Sequence, residues 1–128
     1  MKGRREIRVP ALAEPISHYT DAVRAGDLLF VSGFVPVDGH GKLVPGDVVA
    51  QTRQVFANIG AVLEAAGAGF GDVVKVTVFL IDVDDRRAVN TVRQEVFGGA
   101  RPASTLVEVS RLAVPGALIE VEAVALIP

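Results

Sequence analysis

The run VVKVTVFLI, from Val73 to Ile81, constrains the fold more than any other stretch of this 128-residue chain. It is rich in β-branched and aromatic residues, and only Lys75 and Thr77 interrupt its apolar character, the pattern of a strand covered on both faces. Simple alternation sets Val73, Phe79 and Ile81 on one side and Val74, Val76, Val78 and Leu80 on the other. Both sides then need apolar partners.

Helical spacing supplies one of them. After Pro45-Gly46-Asp47, the residues Val48, Thr52, Val55, Ile59, Val62 and Ala66 recur every three or four positions, which predicts a helix capped by Asp47 and stopped by Gly67. A second helix carries Ala88, Val89, Val92, Val96 and Phe97 and ends at Gly98-Gly99. Two short strands between Tyr19 and Pro36, joined at Ala25-Gly26-Asp27, read as a hairpin, with a brief return at Lys42 to Val44. Two further strands lie in ARPASTLVEV, residues 100–109, and ALIEVEAVALIP, residues 117–128. On the former, Ser104, Leu106 and Glu108 share a face; on the latter, Glu120 and Glu122 do. The order β-β-(β)-α-β-α-β-β has too few helices to alternate with every strand, so the class is α+β with both helices on one face of a mixed sheet. The second apolar face is then expected to be buried against copies of the same chain.

The length suits one domain, residues 1–128, in which residues 1–16 and especially MKGRREIR read as a solvated, partly flexible arm. A net charge of −2, seven aromatic residues and no basic stripe argue against a nucleic-acid partner. No run approaches the ~20 apolar residues of a membrane span, and no signal peptide is recognisable, so neither a membrane partner nor export is expected and the location is cytoplasmic. Cysteine is absent, which removes thiolate nucleophiles and thiolate metal sites; His18 and His40 lie on separate segments without a third ligand, so no metal is expected. The glycines of GAGFGD follow a helix and precede a strand, the reverse of a phosphate-loop context, and read as a turn.

The segments VSGFVP, QTRQVFANIGAVLEAAG, DVVKVTVFLID, Val89-Asn90, RPASTLVEV and LIEVEAVA, in this order and spacing, resemble the RidA/YjgF family of reactive enamine and imine deaminases from Tyr19 to the C-terminus. The resemblance implies a chorismate mutase-like α+β fold, a homotrimer with small-molecule clefts between subunits, and cofactor-free hydrolysis of 2-imino acids to 2-keto acids and ammonia. It also implies site roles: Tyr19 as an aromatic wall, Ser32 and Gly33 as backbone lining, Asn90 as a polar cleft residue and Glu120 as the acid. The loop RLAVPG is one residue longer than in close members, which leaves Glu122 as the alternative acid.

One position departs from the family pattern. Where the family's Pro-Ala-Arg-Ser motif supplies the arginine that forks onto a substrate carboxylate, this chain reads Pro102-Ala103-Ser104-Thr105, and Leu106 replaces a small thiol or hydroxyl residue. The expectation is therefore a hydrolase or deaminase acting on a small imine, enamine or related metabolite, with 2-imino acid deamination weakened and Glu120 left beside an uncompensated position 104. Arg101 is the nearest substitute in sequence, but parity sets it opposite Ser104. The competing readings are a non-catalytic metabolite-binding trimer and, disfavoured by charge, a ribonuclease or translation inhibitor.

Overall fold

The computed structural model describes residues 3–128, and in it the apolar run becomes an interior strand of one six-stranded sheet. The strands are β1 (Arg4–Ile7), β2 (Ala22–Ala25), β3 (Leu28–Phe34), β4 (Val73–Leu80), β5 (Ala103–Glu108) and β6 (Ile119–Leu126). Helix α1 spans Val48–Ala65, between β3 and β4, and α2 spans Arg86–Phe97, between β4 and β5. Spatial order is β1-β2-β3-β6-β4-β5; β4 and β5 run parallel and every other pair is antiparallel. The one parallel pair is the one whose connection contains α2, because parallel neighbours need a crossover.

Strand β6 sits between β3 and β4 and alternates strictly. Ile119, Val121, Ala123 and Ala125 are buried on the helix side, while Glu120, Glu122, Val124 and Leu126 face the open side. In β4 the buried set is Val73, Val76, Val78 and Leu80. This differs from simple alternation at Val73, because pairing with β6 shifts between Val73 and Lys75: a bulge at Val74 adds one residue and returns Val73 to the helix side.

The helices close the core with Val55, Phe56, Ile59, Val62 and Leu63 from α1 and Val89 and Val92 from α2. Phe56, Phe70 and Phe97 meet edge to face with centroids 5.5–6.2 Å apart, which pins the end of α2 against α1. Asp47 caps α1 as expected, its Oδ1 accepting from Ala50 N at 3.0 Å. Beyond Ala66, Gly67 takes φ +76°, the left-handed conformation that ends a helix without a Cβ penalty.

Two sequence expectations are corrected. The return at Lys42 to Val44 contracts to a single bridge, Val37 to Leu43. Arg4–Ile7, expected within a solvated, partly flexible arm, is mostly solvent-exposed but ordered as edge strand β1 in register with Ala22–Ala25. An edge strand with exposed Arg4, Arg5 and Glu6 shows no apolar alternation, so its pairing left no signature. Arg8 just beyond it donates to the buried Asp21 carboxylate at 2.8 Å, and the same carboxylate oxygen accepts from Val9 N at 2.8 Å. That pair fastens both ends of the long β1–β2 loop.

Removing the α1 cap should cost about 1 kcal/mol of stability. Urea unfolding of Asp47→Ala beside the parent, at one fixed protein concentration, measures it; equal midpoints would show that the cap contributes nothing.

Candidate active site

A second irregularity builds the candidate site. Val31 pairs with Ala123 but Phe34 pairs with Val121, so β3 spends one residue more than β6 across this interval. The surplus falls at Ser32-Gly33 and swings that backbone out of the regular ladder. Ser32 is tied down twice: its N–H donates to Asp21 O at 3.0 Å and its hydroxyl to Thr20 O at 2.5 Å. The anchored β1–β2 loop thereby holds the bulge and presents Tyr19 nearby.

Glu120 reaches this bulge from the open side of β6. A Cβ at position 33 would overlap Glu120 Oε2, so only glycine lets the carboxylate lie on the strand there. Ser17, Tyr19, Ser32, Gly33, Val114 and Glu120 line a pocket of about 370 Å³. Burial, reinforced by the neighbouring Glu122, holds the Glu120 carboxyl above its ordinary range. Of the two candidate acids, Glu120 occupies the pocket and Glu122 is exposed. A half-buried carboxyl whose proton is held more tightly than in water is better suited than an ordinary glutamate to give as well as take protons.

Two buried amides on α1, absent from the sequence-based candidates, position both strands of this pocket. Gln51 Oε1 accepts from Leu118 N at 2.7 Å and its Nε2 donates to Gly116 O at 3.1 Å, fixing the start of β6 two residues before Glu120. Asn58 Nδ2 donates to Val35 O and Val37 O at 3.3 and 3.0 Å, fixing the chain that leaves β3. Their signal was available: amides seven residues apart on an otherwise apolar helix face need buried partners.

The remaining predicted site residues are not in this pocket. Ser104 pairs with Val76 and Leu106 with Val78, which sets both on the helix side of the sheet, opposite Glu120 and with β4 between their strands. The expected adjacency of Ser104 and Glu120 therefore does not occur within one chain. Leu106 is partly buried against the core. Asn90 lines a separate groove with Arg93, Gln94 and Arg101. Arg93, another residue missed in the sequence, donates from Nη2 to Ser104 Oγ at 2.8 Å. Among the described residues no cluster of three His, Asp or Glu side chains could hold a metal, and no helix is long and apolar enough to cross a membrane.

Comparison with known proteins bears on the same elements. Residues 10–127 match the sequence pattern of the family described as Endoribonuclease L-PSP. The chain is 50% identical over 113 residues to a RutC family protein of Pyrococcus horikoshii, covering 88% of this chain and 89% of that one. It is 39% identical over 123 residues to a Capra hircus protein named 2-iminobutanoate/2-iminopropanoate deaminase, covering 95% and 89%. The crystal structure of E. coli TdcF with bound serine superposes with a TM-score of 0.88 at 32% identity, covering 95% of this chain and 98% of that one.

The raised Glu120 pKa carries a stability consequence. A carboxyl that binds its proton more tightly folded than unfolded costs stability once ionised; the cost is absent below the ordinary glutamate range, near ~4.3, and complete above the raised value. Glu120→Gln should therefore unfold at higher denaturant than the parent at pH 7, and the advantage should shrink as pH falls toward 4. A variant less stable at pH 7 would mean that the folded protein stabilises the carboxylate instead.

Proposed function

Because the chain belongs to the RidA/YjgF family and has its mixed α+β fold, we propose that it is a cofactor-free hydrolase that deaminates a small imine, with Glu120 as the proton-transfer group. The observation that carries this is the Glu120 carboxyl, half-buried, raised in pKa and laid on Gly33 in a pocket walled by Tyr19 and Ser32. Water adds its oxygen to the imine carbon as the Glu120 carboxylate takes a water proton, and the C=N electron pair moves to nitrogen. Glu120 returns that proton to nitrogen, giving a carbinolamine. The hydroxyl proton then passes through Glu120 to the amine, the C–N bond breaks, C=O forms and ammonia leaves. No electron acceptor is needed.

The working unit in this reading is a cytoplasmic homotrimer with its ligand clefts between subunits. It is supported by the open sheet face, where Leu28, Phe30, Val74 and Leu126 are each more than a third exposed, a larger apolar cluster than a monomer usually shows to water. The serine bound to TdcF and the deaminase name of the Capra hircus relative support a small amino-acid-like ligand. A ligand-binding trimer without turnover is the second reading, favoured by a neutral serine at position 104.

Two measurements test these readings. With 2-iminobutanoate generated in situ, the protein should speed release of the keto acid, and Glu120→Gln should slow it by about 10²–10⁴-fold. The parent's rate should also fall as pH drops through a value above the ordinary glutamate range, because the base must be ionised. Unchanged turnover by the variant refutes the role of Glu120, and binding of the keto acid without turnover selects the second reading. For assembly, sedimentation should give three times the 13.4 kDa chain mass, and Phe30→Asp should lower it; a parent that sediments as a monomer overturns the trimer.

A further inference from the structure

The groove on the helix side of β5 has the chemistry of an anion site. Asn90, Arg93, Gln94, Phe97, Arg101 and Pro102 line a space of about 340 Å³ in which two guanidiniums and two amides meet no carboxylate. Arg93 is the better placed cation. It is half-buried, enough to push its pKa down through desolvation alone, yet among the described residues no acid lies within ion-pair distance of it. A guanidinium taken partly from water usually finds a carboxylate. Here one Nη2 donates to the neutral Ser104 hydroxyl at 2.8 Å.

That contact does two things. It spends one of five N–H donors and fixes the plane of the fork, leaving the others for a ligand. It also shows why serine suits position 104: a short neutral acceptor steadies a guanidinium arriving from α2, where a second arginine would repel it. The helix that carries Arg93 is held in place by Phe97, one turn later, which packs edge to face against Phe56 and Phe70. Asn90 and Arg93 are three residues apart and so share one helix face, giving an amide beside the fork. Arg101 is exposed and precedes β5, so it adds field without fixed geometry.

We infer that Arg93, oriented by Ser104, is the carboxylate-binding group of this chain, so that its ligands are small carboxylic acids, the imino acid and its keto acid product among them, rather than neutral imines. Identifying those acids as imino and keto acids rests on the deaminase reading above; the anion site itself does not. The planar fork with a flanking amide matches the two oxygens of a carboxylate.

The test is calorimetric binding of 2-oxobutanoate and of its neutral amide to the assembled protein. The parent should bind the acid at least tenfold more tightly than the amide. Arg93→Gln should weaken the acid by about ten- to hundredfold and leave the amide unchanged, in line with the loss of a charged hydrogen bond. Arg93→Lys, which keeps the charge without the fork, should restore only part of the difference, and Ser104→Ala should lose a smaller part with the charge intact. Circular dichroism and sedimentation of each variant confirm that it folds and assembles. Equal binding of acid and amide by the parent, or a loss produced by Arg101→Gln but not by Arg93→Gln, overturns the inference. Acid binding that needs Arg93 without imine turnover upholds it and refutes the deaminase reading; turnover of 2-iminobutanoate with a KM indifferent to Arg93→Gln does the reverse.

Discussion

Two helices must cover a sheet of six strands, and they can do so on one side only. That single constraint assigns a role to every residue of β6, the strand held between β3 and β4. Its odd-numbered residues are committed to the core as Ile119, Val121, Ala123 and Ala125, so its even-numbered ones are left for the open side. A carboxylate at an odd position would enter a space filled by Val55, Ile59 and Val62 without a partner, a cost of several kcal/mol. At position 120 the same group stays half in contact with solvent. Partial burial there, with Glu122 beside it, raises its pKa.

Bulges convert this regular frame into a site. The extra residue in β3 moves Ser32-Gly33 off the ladder, the missing side chain at 33 admits the Glu120 carboxylate, and the Ser32 hydroxyl returns a hydrogen bond to the loop that carries Tyr19. None of these local choices would hold position alone. Gln51 and Asn58 tie the flanking backbone to α1, and the Arg8–Asp21 pair ties the loop to β1. Removing one partner of such a buried contact leaves a donor or acceptor unmet, typically worth ~1–3 kcal/mol, so the strands around Glu120 are held more tightly than edge backbone generally is.

Much of this was legible in the sequence because burial and propensity agreed. The α1 span with its Asp47 cap, α2 ending at Gly98, the hairpin around Gly26 and the strand at 119–126 follow patterns in which local preference matches the observed burial, while the strand at 103–108 was marked by β-propensity alone and is mostly exposed. Tyr19, Ser32, Gly33 and Glu120 were also legible as a group, through the family resemblance, and they do line one pocket. What failed was what periodicity cannot carry. A bulge changes parity without changing composition, so Val73 was assigned to the wrong face. Strand β1 is exposed, polar and defined by its hydrogen bonds to β2. Arg93 was passed over because helix spacing marked α2 by its apolar stripe, and its neighbour Ser104 is remote until β5 is laid against that helix.

The separation of Glu120 from Arg93 has its own physical logic. If the two shared one pocket within a chain, the guanidinium and the carboxylate would pair, pull the acid's pKa down and leave neither free for a ligand. Instead β4 stands between their strands and the sheet between their faces. Arg93 is left with a neutral hydroxyl and Glu120 with a second acid, so each keeps an unsatisfied charge preference. In the reading proposed above, a carboxylate-bearing imine would meet both preferences at opposite ends, its anion answering the guanidinium and its nitrogen the acid. One chain on its own cannot present the two groups to the same small molecule across its own sheet. A small molecule that touches both groups would have to bridge two copies of the chain, and the exposed Leu28, Phe30, Val74 and Leu126 of the open face are the apolar surface available for such a contact.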